Sequence, residues 1–227
     1  MNIIYKFHFL KWIYISARKR VMIVEIKLFV NMDTQGNTYL VIDEDKNCCM
    51  IDPGSLKMKK IISYMKENDL NLTGILLTHG HYDHIIGIPD IIDYKKVPVY
   101  IGEKDIEFLY DSTLSLSLWY DLDFKLSKNV EVIGVNEGDK VCGLEVIATP
   151  GHSQGGVCYL NREEKFLFSG DTIFKMTYGR TDFPTGSLSA LRESISKILK
   201  LDGDIVVYPG HGGETEIKEE RVYHVFS

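Results

Sequence analysis

Three of the seven histidines in this chain of 227 residues fall within six positions. His79, His81 and His84 stand with Asp83 in the run Thr78-His79-Gly80-His81-Tyr82-Asp83-His84. Imidazole and carboxylate are the side chains that hold zinc, iron or manganese. In an extended segment residues 79 and 81 point to one side, and an Asp-His pair placed after the chain turns brings a second set of ligands to the same space. One short segment is thereby able to serve two cations. Three later segments share a form, in which a strand leads through a small-residue turn to a His or an Asp. They are Ala148-Thr149-Pro150-Gly151-His152, Phe168-Ser169-Gly170-Asp171 and Val207-Tyr208-Pro209-Gly210-His211. Singly, each reads equally well as a plain turn. With the cluster they supply five His and two Asp, enough for two metals that share one carboxylate.

Such ligands need strand ends to hold them. Val- and Ile-rich runs at 22–30, 38–43 and 48–52, separated by turn formers at Asp33 to Asn37 and Asp43 to Asn47, predict a β-meander. Met58, Ile61, Ile62 and Met65 recur at helical spacing after Ser55, a good N-cap, and predict a helix over 56–68. Gly74 to Leu77 is a short buried strand that delivers the histidine cluster. Further strands are expected near 97–101, 130–135, 141–148, 156–160, 166–169 and 205–208. Helices are expected near 103–110, after Ser187 through Leu188, Leu191, Ile195 and Ile198, and from Thr215. Strands interspersed with helices in this way imply an α/β fold of two sheets covered outside by helices.

Composition narrows the classes. Hydrophobic residues at 44% and charged ones at 26% are globular values that exclude a disordered or fibrous chain. Lys and Arg number 26 against 32 Asp and Glu, a net charge of -6, which offers no basic field to nucleic acid. The charge is uneven, because residues 1–21 contain Lys6, Lys11, Arg18, Lys19 and Arg20 and no acid. Their apolar residues are interrupted by Lys6, His8 and Lys11, and most of the charge follows them, which is the wrong order for a signal peptide. The segment is also too short to span a bilayer. It reads as an extension ahead of a domain over 22–227, with a membrane-surface helix through Phe7, Leu10, Trp12 and Tyr14 as the functional alternative. Cys48, Cys49, Cys142 and Cys158 match neither a metal-binding spacing nor a disulfide scaffold, which fits a reducing, cytoplasmic setting. All four lie in apolar runs that read as strand.

At its ligand segments the chain resembles the metallo-β-lactamase superfamily, from about Met22 to about Arg221. It is most similar to the short, single-domain glyoxalase II-like (hydroxyacylglutathione hydrolase-like) metallohydrolases. Gly170-Asp171-Thr172-Ile173-Phe174, Gly179-Arg180-Thr181-Asp182-Phe183 and Pro209-Gly210-His211-Gly212 carry that likeness. The resemblance implies a four-layer αββα sandwich, two mixed β-sheets with helices outside, and metals at the edge between the sheets. It implies that His79, His81 and His152 hold one divalent ion, that Asp83, His84 and His211 hold the other, and that Asp171 bridges. Zinc is the first expectation for the two ions, with iron and manganese as alternatives. Asp52, in Ile51-Asp52-Pro53-Gly54, matches an early Asp of the family that orients ligands by hydrogen bonds. An Asx turn ahead of Pro53 explains it equally well.

The implied reaction is hydrolysis of a small-molecule thioester such as a hydroxyacylglutathione, with Asp83 and Asp171 as its carboxylates. Two cations roughly 3.5–4 Å apart lower the pKa of a bridging water, and the resulting hydroxide attacks the carbonyl carbon while Asp83 helps position it. A thiolate leaves with little acid assistance, its thiol titrating near about 8.5, and no serine nucleophile is expected. Full-length glyoxalase II proteins add a C-terminal helical domain with glutathione contacts, whereas about sixteen residues follow His211 here. The short relatives end in Asn-Pro-Phe where this chain has Tyr223-His224-Val225-Phe226. His8 and His224 do not join the cluster by spacing.

Substrate contacts are therefore sought in Arg180, Tyr120 and Arg221. Arg180 reads either as an ion pair with Asp182 or as a clamp for a carboxylate. Tyr120 with Trp119 reads as a lid or as packing, and Arg221 reads as a contact or as part of a solvated face. The competing activity within the superfamily is a persulfide dioxygenase with one iron held by two His and one Asp, which metal count separates from a hydrolase. Nuclease relatives share the His-x-His-x-Asp-His cluster, and the acidic body counts against them. An inactive sensor or interaction module is the remaining class, and it would not need every ligand position filled. Deleting residues 1–21 is expected to leave the melting temperature, metal content and thioester turnover unchanged. A truncated protein that melts several degrees lower would show that Trp12 and its neighbours pack on the core.

Overall fold

The computed structural model describes residues 24–224. The extension over 1–21, the first two residues of the expected first strand and the end of the tail lie outside the described residues.

Two mixed sheets of six strands each form the frame. The first runs in chain order through β1 (Glu25–Val30), β2 (Asn37–Ile42), β3 (Asn47–Ile51), β4 (Asn71–Leu76), β5 (Val99–Gly102) and β6 (Val132–Val135). Its antiparallel part is the expected meander β1–β2–β3, and β3 to β6 are parallel. Parallel neighbours need crossovers. These are α1 (Lys59–Glu67) between β3 and β4, α2 (Tyr82–Ile85) and α3 (Ile88–Tyr94) between β4 and β5, and a segment with two 3-10 helices between β5 and β6. The second sheet contains β7 (Lys140–Val141), β8 (Leu144–Ala148), β9 (Val157–Asn161) and β10 (Phe166–Gly170). A small separate hairpin, β11 (Ile173–Phe174) with β12 (Thr177–Tyr178), precedes α4 (Leu188–Ile198). The sheet is completed by β13 (Val206–Pro209), parallel to β10, and by β14 (Thr215–Glu216), and α5 (Ile217–Tyr223) follows.

The inner strands of each sheet are buried on both faces, which is why β2, β3, β9 and β10 read as near-continuous apolar runs, whereas the edge strand β1 is largely exposed. Side chains of Leu40, Ile42, Cys48 and Met50 face Met58, Ile61, Met65, Ile88 and Ile91 around α1 and α3. Their neighbours Tyr39, Val41, Cys49 and Ile51 face Leu144, Val146, Val157, Tyr159 and Phe168 of the second sheet. The outer face of that sheet, with Ile147, Cys158, Leu160 and Leu167, is covered by Leu191, Ile195 and Ile198 of α4 and by Ile217 of α5. The adjacent Cys48 and Cys49 thus serve two different cores, as the period of two requires. This is the four-layer αββα sandwich that the resemblance implied.

Local departures from the sequence reading have physical causes. Ser55 gives its hydroxyl to Asp33 at 3.1 Å, and α1 begins only after Met58, whose amide donates to Asp90 on α3 at 3.1 Å. Residues Glu103–Leu109 form a 3-10 helix in place of an α-helix, and a second 3-10 turn spans Ser117–Tyr120. The run 141–148 is split by a hairpin turn at Cys142 and Gly143, both with positive φ, so Cys142 is exposed while the other three cysteines are buried. Ser187 does cap α4, its hydroxyl accepting from the Ala190 amide. No helix among the described residues is long and apolar enough to cross a membrane.

The sheets are tied directly beside the histidine run. The hydroxyl of Tyr159, fully buried between the layers, donates to the Leu77 carbonyl at 2.9 Å. Tyr159→Phe, which leaves that carbonyl unpaired, is expected to lower unfolding free energy by about 1 kcal/mol. Urea denaturation measures it, and metal content should not change.

Candidate metal centre

Five strands end at one edge of the sandwich, and each is followed by a polar residue that turns into the gap between the sheets. Asp52 follows β3, His79 lies just beyond β4, His152 beyond β8, Asp171 directly after β10 and His211 just after β13. His81, Asp83 and His84 arrive with the His79 run, which folds into the single turn α2 at Tyr82. All seven residues proposed from sequence as ligands meet there. Ligand atoms of His79, His81 and His152 lie within 4.8 Å of one another, as do those of Asp83, His84 and His211. A third group of the same tightness, His79, His84 and Asp171, joins the two.

The outer nitrogens explain how the rings are aimed. His84 Nδ1 lies 3.0 Å from Asp52 Oδ2, His152 Nδ1 lies 2.7 Å from the Arg180 carbonyl, and His211 Nδ1 lies 3.0 Å from the Gln35 carbonyl. Each partner is an acceptor, so each Nδ1 carries the proton and each Nε2 lone pair points inward. Thr78 gives its hydroxyl proton to Asp52 at 2.6 Å and so accepts from His79 Nδ1 at 3.1 Å, with the same result for His79. Inside the ring of anchors the atoms oppose one another. His84 Nε2 faces Asp171 Oδ1 at 3.4 Å, His211 Nε2 faces Asp83 Oδ2 at 3.2 Å, and His81 Nδ1 faces His152 Nε2 at 2.9 Å. His79 Nε2, His81 Nε2, His84 Nε2 and Asp171 Oδ1 are buried with no hydrogen-bond partner. Lone pairs and carboxylate oxygens that face one another in a dry space fit a bound cation, and buried polar atoms otherwise find partners.

The field is polarised across the cluster. Burial, with the His84, His81 and His152 rings, holds the His79 imidazole well below its ordinary pKa. His81 is pulled down to about 3 by burial and by His152. Burial also pulls on His84, but the Asp83, Asp171 and Asp52 carboxylates outweigh it and raise this ring well above its usual value. Asp171, which burial alone would raise, is held well below the carboxylate range by His84 first, and then by His152 and His79. Asp83 is lowered in the same way by His84 and His211, against its own burial.

Close approach sets the backbone around these groups. A Cβ on Gly210 would lie 2.3 Å from Asp171 Oδ1 and 2.7 Å from the His84 ring. Gly170, at φ +49°, presses against Thr78, where a Cβ would come within 2.3 Å of Oγ1. Asp52 itself takes a left-handed φ of 50°, strained for a non-glycine residue. Its carboxylate also accepts from the Thr78 amide at 2.8 Å. The residue therefore orients two histidines, one of them through Thr78, and makes more than a local turn.

Beside the cluster opens a cavity of about 270 Å3 whose wall includes Asp83, Asp171, His211, Trp119, Tyr120 and Phe183. Tyr120 stacks on Tyr82 at 4.2 Å, and Trp119 meets Phe183 edge-on at 5.5 Å. The Arg180 guanidinium also borders it, bonded at both ends to Asp182 (2.7 and 2.6 Å) and laid over Phe183 at 4.2 Å. Arg221 is not brought there. Its guanidinium donates to the carbonyls of Leu199 and Leu201 at 2.9 and 2.6 Å, closing the end of α4. Gly151-His152-Ser153-Gln154-Gly155 has the Gly-x-Ser-x-Gly spacing of a nucleophile elbow. It joins two strands rather than a strand and a helix, and the buried Ser153 hydroxyl donates to Asp105 at 2.6 Å. The anchors Thr78, Gln35 and the Arg180 carbonyl escaped the sequence reading. Only Thr78, adjacent to His79, left a signal there.

The model of the metallo-β-lactamase superfamily matches residues 32–211, a span that includes all seven converging side chains. The chain belongs to the metallo-β-lactamase superfamily. Among relatives within it, hydroxyacylglutathione hydrolase GloC of Haemophilus influenzae is 32% identical over 196 residues, which cover 82% of this chain and 90% of that protein. The crystal structure of the BLEG-1 B3 metallo-β-lactamase superposes with a TM-score of 0.83 at 34% identity, covering 88% of this chain and 98% of that one. A di-iron-bound form of TTHA1623 gives a TM-score of 0.78 at 30% identity, with coverage of 87% and 98%. Metallo-hydrolases of this superfamily bind paired metals, and the two ligand groups here fit that pattern.

Asp52→Ala strips the anchors from His84 and Thr78 together. It is expected to weaken metal binding about 10–100-fold, read by chelator competition.

Proposed function

We propose that residues 22–227 form one dinuclear metal-dependent hydrolase domain that cleaves a thioester of the hydroxyacylglutathione type. The observation that carries the reading is the set of unpartnered Nε2 and carboxylate atoms converging in two joined groups beside an open, aromatic-walled cavity. The likeness to GloC supports the choice of thioester.

In this reading His79, His81 and His152 hold one divalent ion, Asp83, His84 and His211 hold the second, and Asp171 lies between them. Zinc is preferred, and the His and carboxylate donors suit iron and manganese as well. Two such ions supply a water acidified towards neutral pH and a Lewis acid for the carbonyl oxygen. The chain does the rest. Asp83, on the cavity wall, orients the attacking water by accepting its hydrogen, and the four anchored rings stay aimed while charge builds on the carbonyl oxygen. Preorganised groups of this kind need no rearrangement as the reaction proceeds. Tyr120, Trp119 and Phe183 seat the apolar part of the substrate and exclude water from it. The thiolate leaves without a dedicated acid. Arg180 is already matched by Asp182, so a substrate carboxylate would have to share its guanidinium.

A one-iron dioxygenase would leave Asp83, His84 and His211 facing one another without a cation, which counts against that reading. Elemental analysis of protein purified without added metal, paired with a thioester hydrolysis assay, tests the proposal. Two equivalents per chain with turnover are expected. Occupancy fixed near one after addition of zinc, iron or manganese, with no turnover, would overturn it.

Asp171→Ala should lower kcat at least about 100-fold with loss of metal, because the shared carboxylate is removed. Arg180→Ala keeps the carbonyl that anchors His152 and should retain both metals with only a rise in KM. Equal losses with metal retained in both variants would overturn this ranking.

A further inference from the structure

Asp105 is a fully buried carboxylate that the metal-centre reading does not use. It lies in the 3-10 helix after β5, outside the ligand groups. Its Oδ2 accepts from the Gly80 amide at 3.2 Å and from the Ser153 hydroxyl at 2.6 Å, and its Oδ1 accepts from the Gly155 amide at 2.6 Å. Gly80 stands between His79 and His81, and Ser153 follows His152. One carboxylate therefore ties together the two loops that carry all three histidines of one group. Those loops come from different sheets, the first after β4 and the second between β8 and β9.

The approach is close, since a Cβ on Gly155 would lie 2.4 Å from the Asp105 amide nitrogen and 2.7 Å from its Oδ1. Within the group so fixed, His81 Nδ1 and His152 Nε2 stand 2.9 Å apart. At that distance one ring donates to the other, a bond that is lost once a cation takes both nitrogens, so the hold that keeps the two loops in register with the metal bound must come from outside the rings. An ionised acceptor bonds its donors more strongly than a neutral one. The other group takes its aim from Asp52 and the Gln35 carbonyl, and none of the three Asp105 bonds reaches it.

We propose that Asp105 is a positioning residue for the three-histidine group: by holding the loops of Gly80 and Ser153 together it sets the spacing of His81 and His152 and so the affinity of that group alone for its cation. The inference rests on the two-metal reading above. A carboxylate needed only for stability would affect both groups alike.

The test is a cobalt(II) titration of the metal-free full chain, of Asp105→Asn and of Ser153→Ala, followed by visible absorption and chelator competition, with folding checked by circular dichroism. The parent should take two equivalents. In Asp105→Asn one equivalent should bind as in the parent and the other about 10–100-fold more weakly, with an altered absorption band. Ser153→Ala, which removes one of the three bonds, should weaken the same single equivalent to a smaller degree. Two equivalents bound with parent affinity in folded Asp105→Asn would overturn the proposal, and so would equal weakening of both. If Asp105→Asn does not fold, Ser153→Ala decides on the same two outcomes. A parent that binds one equivalent overturns the two-metal reading, and unchanged affinity of that equivalent in the variants overturns this proposal too.

Discussion

The structure depends on holding five imidazoles and two carboxylates together in one cluster. Their nitrogens and oxygens meet at 2.9–3.6 Å. The Asp83, Asp171 and Asp52 carboxylates favour a proton on His84, whose pKa they raise well above its usual value against its burial. What prevents rotation is that the outer nitrogens of four rings are each committed to an acceptor. The acceptors are themselves held, Asp52 by Thr78 and by its strained backbone, Gln35 and Arg180 as main-chain carbonyls. Behind the anchors stand two six-stranded sheets that pack on each other and are covered outside by helices.

The first sheet also reaches across to His211. Asn37 at the start of β2 donates through its side chain to the carbonyls of Pro209 and Gly212, on either side of the His211 turn, and its amide donates to Gly210. Tyr39 adds a hydroxyl bond to Pro209 at 2.7 Å. The segment that carries His211 is thus part of the second sheet by pairing and is clamped by the first through side chains. Both sheets must be docked before the second ligand group exists, so metal affinity and folding are linked quantities.

The converging side chains were legible in the sequence because a dense His/Asp run and three further segments, each a strand leading through a small-residue turn to His or Asp, have few other reasons to occur in one chain. The fold layers were legible from the apolar runs, and α4 from its spacing and its Ser187 cap. What escaped was set by contacts distant in sequence. The start of α1 is fixed by Asp90, the conformation of 103–110 by loops it must reach, and the exposure of Cys142 by a hairpin inside an apolar run. Two anchors are main-chain carbonyls, and a carbonyl has no residue type to read. Arg221 attracted attention by its charge, yet its role follows from the unpaired carbonyls at the end of α4.

The carbonyl of Arg180 has a consequence for how this site can change over time. The residue meets the cavity with its side chain and supports His152 with its backbone. Side chains at this position can therefore be exchanged by mutation while the support for the histidine persists. The shape of the pocket and the aim of the histidine thus depend on different atoms of one residue, and a change in the first need not disturb the second.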